Sequence, residues 1–126
     1  MVEAATSFRK SGYSDEDAAT LGLVATKFQN VADDAISAGE SADFIIAQMK
    51  AFNIEASNSE HIIDAVNEVS NSFAVSSSDL STNLGKASAA LATGGNTFEE
   101  ALGLMTAGTE ITRNASRVAR GKLLGP

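Results

Sequence analysis

The stretch DAVNEVSNSFAVSSSDLSTNLGKASAALATGGNTFEEALGLMTAGTEITRN, from Asp64 to Asn114, decides how the chain is read. It divides into three helical runs separated by two similar corners, Ser72-Phe73-Ala74-Val75-Ser76-Ser77-Ser78 and Thr93-Gly94-Gly95-Asn96-Thr97. At each corner a run of helical spacing stops, an apolar or small residue follows, and then comes a Ser, Asn or Thr. Such side chains accept hydrogen bonds from the N–H groups left free in a helix's first turn, so they mark where the next helix starts.

Outward from that stretch the same pattern continues in both directions. Val2 to Lys10 is a short helical piece with Ala4, Ala5 and Phe8 on one side, closing at Ser11-Gly12. Ser14, followed three residues later by Asp17, is a variant capping box. From Asp15 to about Ile36, Leu21, Val24, Phe28, Val31 and Ala35 recur at steps of three and four, one stripe of a helix, with Lys27, Gln29, Asn30 and Asp33 opposite. Gly39 marks the next corner, Ser41 is its candidate cap, and Ile45, Met49 and Phe52 form the following stripe.

After a loop from Asn53 to Ser57, a helix opens at Asn58 or Ser59 with Ile62, Val66, Val69 and Phe73 on its buried side. The next opens at Ser76 or Ser77 and carries Leu80, Leu84, Ala87 and Leu91; another opens at Asn96 or Thr97 with Phe98, Leu102 and Met105. Asn114 opens a last helix through Ala115, Val118 and Ala119. Corners therefore fall near residues 12, 39, 53, 73, 94 and 113, and the candidate corner residues are Ser14, Gly39, Ser41, Val75, Ser76, Gly94, Gly95, Asn96 and Glu99.

Nothing alternates strictly, and no paired hairpin turn of the Asn-Gly or Asp-Gly kind appears. Helices of about fifteen residues joined by loops of about five fold back on their neighbours. The expected fold is all-α: a single domain over residues 1–126, an array of short antiparallel helical hairpins with about six helices. The spacing of the corners also points to a degenerate internal repeat.

Composition narrows the chemistry. With 126 residues, 44% hydrophobic but only 6% aromatic, the core must be packed by Ala, Leu, Ile and Val. The one Pro is residue 126, so no helix interior carries that break. There is no Cys, which excludes disulfides and cysteine-ligated metals. Neither a secretory signal pattern nor an apolar run near membrane-spanning length is visible, so no membrane contact is expected for this stretch. Net charge is −7; removing the four cations Arg113, Arg117, Arg120 and Lys122, which have no acid among them, leaves −11 on the residues before them. So acidic a surface repels phosphate backbones, and the cations suit the negative end of a helix dipole.

Each chemical motif meets a simpler reading. His61, beside Glu60 and one helical turn from Asp64, lacks the further ligands a metal would need and reads as a surface His among acids. Asp15-Glu16-Asp17 resembles the start of a calcium loop, but the positions requiring Gly and Glu hold Thr20 and Thr26. The pairs Asp33-Asp34 and Glu99-Glu100 point about 100° apart on a helix, which is not the opposed geometry of glycoside cleavage. Gly94-Gly95 follows no strand and reads as a helix stop, and no Ser lies in Gly-x-Ser-x-Gly. A DNA-reading helix needs outward Arg, Lys, Asn or Gln, and Ser77 to Thr93 offers only Asn83 and Lys86.

Three blocks carry a family resemblance: Ile63-Asp64-Ala65-Val66-Asn67-Glu68-Val69, then Phe73-Ala74-Val75-Ser76-Ser77-Ser78-Asp79-Leu80, then Gly95-Asn96-Thr97-Phe98-Glu99-Glu100-Ala101-Leu102-Gly103-Leu104-Met105-Thr106-Ala107-Gly108 with Glu110-Ile111. In this order and spacing they resemble the core region of tail tape-measure proteins of long-tailed bacteriophages and prophages. The resemblance implies a piece of a longer structural protein that templates the tail tube and sets tail length. It implies the tail tube protein, tail assembly chaperones and further copies of itself as partners. Its place would be the tube lumen of the virion tail, or the host cytoplasm during assembly. It implies no catalytic residue, cofactor or metal for this region. The rival readings are a free-standing helical protein-interaction module and a cell-wall-active enzyme domain.

Overall fold

The computed structural model describes the backbone of residues 2–32, 36–73 and 75–124, and the side chains of residues 5–32, 36–73 and 75–112. Among them are six α-helices and no strand: α1 (Val2–Lys10), α2 (Asp15–Val31), α3 (Ala38–Phe52), α4 (Ser59–Ser72), α5 (Ser77–Thr93) and α6 (Phe98–Leu124), with a 3₁₀ turn at Ala56–Asn58 before α4. The fold is all-α.

The helices end in two alternating ways. α1, α3 and α5 each close on a left-handed residue, Gly12 (φ +99°), Asn53 (φ +54°) and Gly95 (φ +92°). In each case the following N–H turns back onto a carbonyl five residues earlier: Tyr13 to Phe8 at 3.2 Å, Ile54 to Met49 at 2.9 Å and Asn96 to Leu91 at 3.0 Å. This satisfies carbonyls that the helix itself leaves free. At the first of these ends Tyr13 packs edge-on against Phe8, ring centroids 6.2 Å apart, the apolar contact that accompanies such caps. By contrast α2 and α4 end on extended residues, Ala32 (ψ 141°) and Phe73 (ψ 161°).

The helices stack side by side: α1 packs closely on α2 and α5 on α6, while α3 packs on α2 more than on α4. The odd helices form one layer, in which α3 packs against both α1 and α5; the even helices form the other, with α4 against α2 and α6. The core lies between the layers. It is built from Phe8, Leu21, Phe28, Ile45, Met49, Ile62, Val66, Leu80, Leu84, Phe98 and Leu102, all buried. Small hydroxyls sit where helices cross closely: the buried Ser41 of α3 donates to the Ala25 carbonyl of α2 at 2.8 Å, and Gln48 of α3 donates to Ser88 of α5 at 3.0 Å.

Four expectations need correction. Gly39 is not a corner and Ser41 is not a cap. The cap of α3 is Ser37, whose hydroxyl accepts from the Glu40 N–H while the Glu40 carboxylate accepts from the Ser37 N–H. Gly39 is the second residue of α3, and Ser41, one turn in, is fully buried. α2 stops at Val31, short of Ile36: the backbone turns extended at Ala32, and the last turn holds no cation to offset the negative end of the dipole. Phe73 is 50% exposed: α4 ends at Ser72, and the extended backbone at Phe73 takes its ring off the stripe. No corner occurs near residue 113. α6 runs unbroken to Leu124, since no Gly or Pro lies between Thr109 and Arg120 and an Asn without a preceding break does not cap. The side chains of Ala4, Arg113, Asn114, Ala115, Arg117, Val118, Ala119, Arg120 and Lys122, and the residues Asp33, Asp34, Ala35 and Ala74, lie outside those described.

Candidate functional site

The end of the array where α3 turns into α4 and α5 into α6 holds an open groove of about 810 Å³. The left-handed residues Asn53 and Gly95 stand on its two sides, and Phe52, His61, Phe98 and Glu99 contribute side chains. Phe98, the first residue of α6, is the hinge pin. Its ring meets Phe52 of α3 edge-on at 6.0 Å and the His61 imidazole of α4 edge-on at 6.2 Å. The start of α6 is thereby fixed against both α3 and α4.

Beside that aromatic contact, His61 Nε2 lies 2.9 Å from Glu99 Oε1. Glu99 is in the first turn of α6, where its own backbone N–H binds the carboxylate; that bond, then the His61 hydrogen bond, hold its pKa below the usual carboxylate value. Both side chains remain more than half exposed. A second cross-helix tie uses α4 residues on either side of His61, where Lys27 Nζ of α2 reaches Glu60 at 2.6 Å and Asp64 at 2.8 Å. Its pKa is raised by the hydrogen bond to Asp64 first and to Glu60 second. His61 and the two acids near it in sequence therefore serve different helices: Glu60 and Asp64 face α2, and His61 faces α6.

The His61–Glu99 pair is open to water. Among the described residues no group of three or more His, Asp or Glu could hold a metal ion. Nor is any described helix long and apolar enough to cross a membrane. Glu99 and Glu100 separate as helix geometry requires: Glu100 accepts from the Thr97 N–H at 2.9 Å while Thr97 Oγ1 accepts from the Glu100 N–H, which closes the first turn.

The residues picked out from sequence divide into two sets. Gly95, Asn96 and Glu99 come together on the groove with His61. Asn96 Nδ2 donates to the Leu91 carbonyl at 3.0 Å, so it finishes α5 and leaves the capping of α6 to Thr97. Gly94 is the C-cap of α5 with φ −74°, and the left-handed turn belongs to Gly95 alone. The others lie elsewhere. Ser14 caps α2 by accepting from the Asp17 N–H, and Ser76 caps α5 by accepting from the Asp79 N–H, both at 3.1 Å. Val75 is buried just before Ser76, and Gly39 and Ser41 are inside α3. Sequence reasoning missed Phe52, Asn53 and Lys27 as groove and tie residues; Asn53 carried a usable signal, an Asn at the end of a helical stripe.

Residues 1–121 match the family model described as phage-related minor tail protein. No solved structure matches the chain.

Proposed function

The chain belongs to the phage-related minor tail protein family, a membership that makes it a structural component of a phage tail, and from it we propose that the protein acts as a tape measure, templating the tail tube and setting its length. One observation supports the finer reading: the fold is a stack of helices that pack chiefly on neighbours close in sequence, and such a chain changes extent in steps as helices are added or removed. A ruler needs that property. Tail tube protein and assembly chaperones are the partners this role requires, and the tail tube is its place. A structural rather than enzymatic role is what membership of a minor tail protein family points to.

Tail length tests the reading. Removing residues 38–76, from the start of α3 through the Ser76 cap, from the gene of a phage that encodes this chain should shorten every tail by a fixed step. That step is roughly 60 Å if the segment lies in the tube as straight helix at about 1.5 Å per residue. Electron micrographs showing normal tails of unchanged mean length would sink the tape-measure role while leaving the family membership intact.

A further inference from the structure

Polar groups are not buried evenly in this fold. Among the described residues, the large apolar side chains buried completely include Phe8, Leu21, Phe28, Ile45, Ile62 and Val66 on α1 to α4, but only Leu80 and Leu84 on α5 and none on α6. Beside its two leucines α5 buries two serines, Ser77 and Ser88. Past Leu102, as far as residue 112, the residues that α6 buries are Thr106 and Thr109. Two buried side-chain oxygens of the described residues have no hydrogen-bond partner, and both belong to this part of the molecule. One is Ser77 Oγ on α5; the other is Oε1 of Gln48 on α3, whose Nε2 reaches across to Ser88. On α3 and α4, by contrast, the buried hydroxyls of Ser41 and Ser59 donate to the Ala25 and Ala56 carbonyls.

A polar atom buried without a partner has given up its water for nothing. Separating α5 from α3 would return water to Gln48 Oε1 and Ser77 Oγ, which offsets part of the cost of exposing Leu80 and Leu84. α5 and α6 themselves pack closely, and Asn83 Nδ2 donates to Thr109 Oγ1 between them at 2.9 Å. We propose that α5 and α6 form a separately opening unit, which parts from α3 and α4 as a pair while α1 to α4 stay folded. Opening must withdraw the Phe98 ring from between Phe52 and His61, so that ring is the latch. The inference rests on how polar groups are buried and does not depend on the tape-measure reading.

Native-state hydrogen exchange of the whole chain tests this, under conditions where exchange tracks the open population. The Leu80 and Leu84 amides of α5 should be at least about tenfold less protected than the Leu21 and Ala25 amides of α2. Leu21→Val, a lost methylene in the α2 core, should lower the protection of Ala25 several-fold and leave that of Leu80 and Leu84 unchanged, because α2 is folded in both the closed and the open form. Gln48→Met combined with Ser88→Ala removes the buried amide and its partner together and should raise the protection of Leu80 at least about fivefold. Ser77→Ala should act in the same direction. Equal protection of α2 and α5 would overturn the proposal, since the chain would then open only as a whole. So would a Leu21→Val variant that lowers protection in both helices alike, or polar-to-apolar variants that leave Leu80 as it was.

Discussion

The joint between α2 and α3 and the joint between α4 and α5 are built alike from unlike residues. In each, an even helix ends on an extended residue, Ala32 or Phe73, whose N–H still bonds back four residues, to Phe28 or Val69. In each, a side chain three residues before that end donates to the carbonyl of a buried apolar residue: Gln29 to Ile36 and Ser70 to Val75, both at 3.0 Å. In each, that apolar residue directly precedes the serine that caps the next helix, Ser37 or Ser76, 39 residues apart. The repeated object is therefore a hydrogen-bonding scheme and a buried anchor. The identities around it have drifted, which is why the repeat shows faintly as letters and plainly as geometry.

The sharpest way to separate the two joints is through the residues that accept the last helical hydrogen bond. Phe28 is fully buried and lies against Phe44, ring centroids 5.5 Å apart. Phe28→Ala should cost about 3–5 kcal/mol, the range for deleting a buried aromatic side chain. Val69 is only half-buried at the edge of the core. Val69→Ala should cost about 1 kcal/mol, since fewer apolar atoms leave water there on folding. Urea unfolding followed by circular dichroism reads both; equal costs would mean that the two joints bear equal shares of the core, against the burial described above.

The donors should differ in the opposite sense. Ser70 is 7% exposed and its bond to the Val75 carbonyl is buried, so Ser70→Ala leaves an acceptor without water and should cost about 1–3 kcal/mol. Gln29 is half-buried and water can replace it at the Ile36 carbonyl. Gln29→Ala should therefore cost under about 1 kcal/mol by the same principle. A Gln29 variant as damaging as the Ser70 one would show that the longer first corner depends on its side chain as much as the shorter second corner does.

The helical stripes were legible because burial repeats every three or four residues whatever surrounds it. Leu21, Val24 and Phe28 placed the inner face of α2, and Leu80 and Leu84 that of α5. Corners were harder, because a breaker and a cap are read by residue type while their effect depends on position. Gly39 looks like a stop, but at the second position of a helix glycine has little to break, and the Ser37-x-x-Glu40 spacing three residues wide was the better sign. Asn114 looks like a cap, but only a chain already leaving a helix can use one. The groove was least legible of all. His61 and Glu99 are 38 residues apart, and only the packing of Phe98 between Phe52 and His61 brings them together.

The smallest expected difference concerns how each joint is tied across the even layer. α2 is held to α4 by Lys27 on Glu60 and Asp64, and α4 to α6 by His61 on Glu99. The Glu99 pKa is lowered in the folded chain, so its contribution is present above the unfolded value near 4.5 and is lost as pH falls through the lowered one. The Lys27 pKa is raised, so its contribution is complete below 10.5 and disappears as pH rises through the raised value. In alkali, therefore, Lys27 gives up its share while the Glu99 carboxylate keeps its own. For a pair as exposed as His61–Glu99, screening by water limits the worth to a few tenths of a kcal/mol. Unfolding midpoints of the parent and of Glu99→Gln, measured across pH, should differ slightly at neutrality and converge in acid, whereas the offset of Lys27→Met should persist from neutrality upward and close in strong alkali. A Glu99→Gln offset that persists unchanged down to pH 2 would assign that residue's role to capping α6 and leave α4 and α6 joined by Phe98 alone.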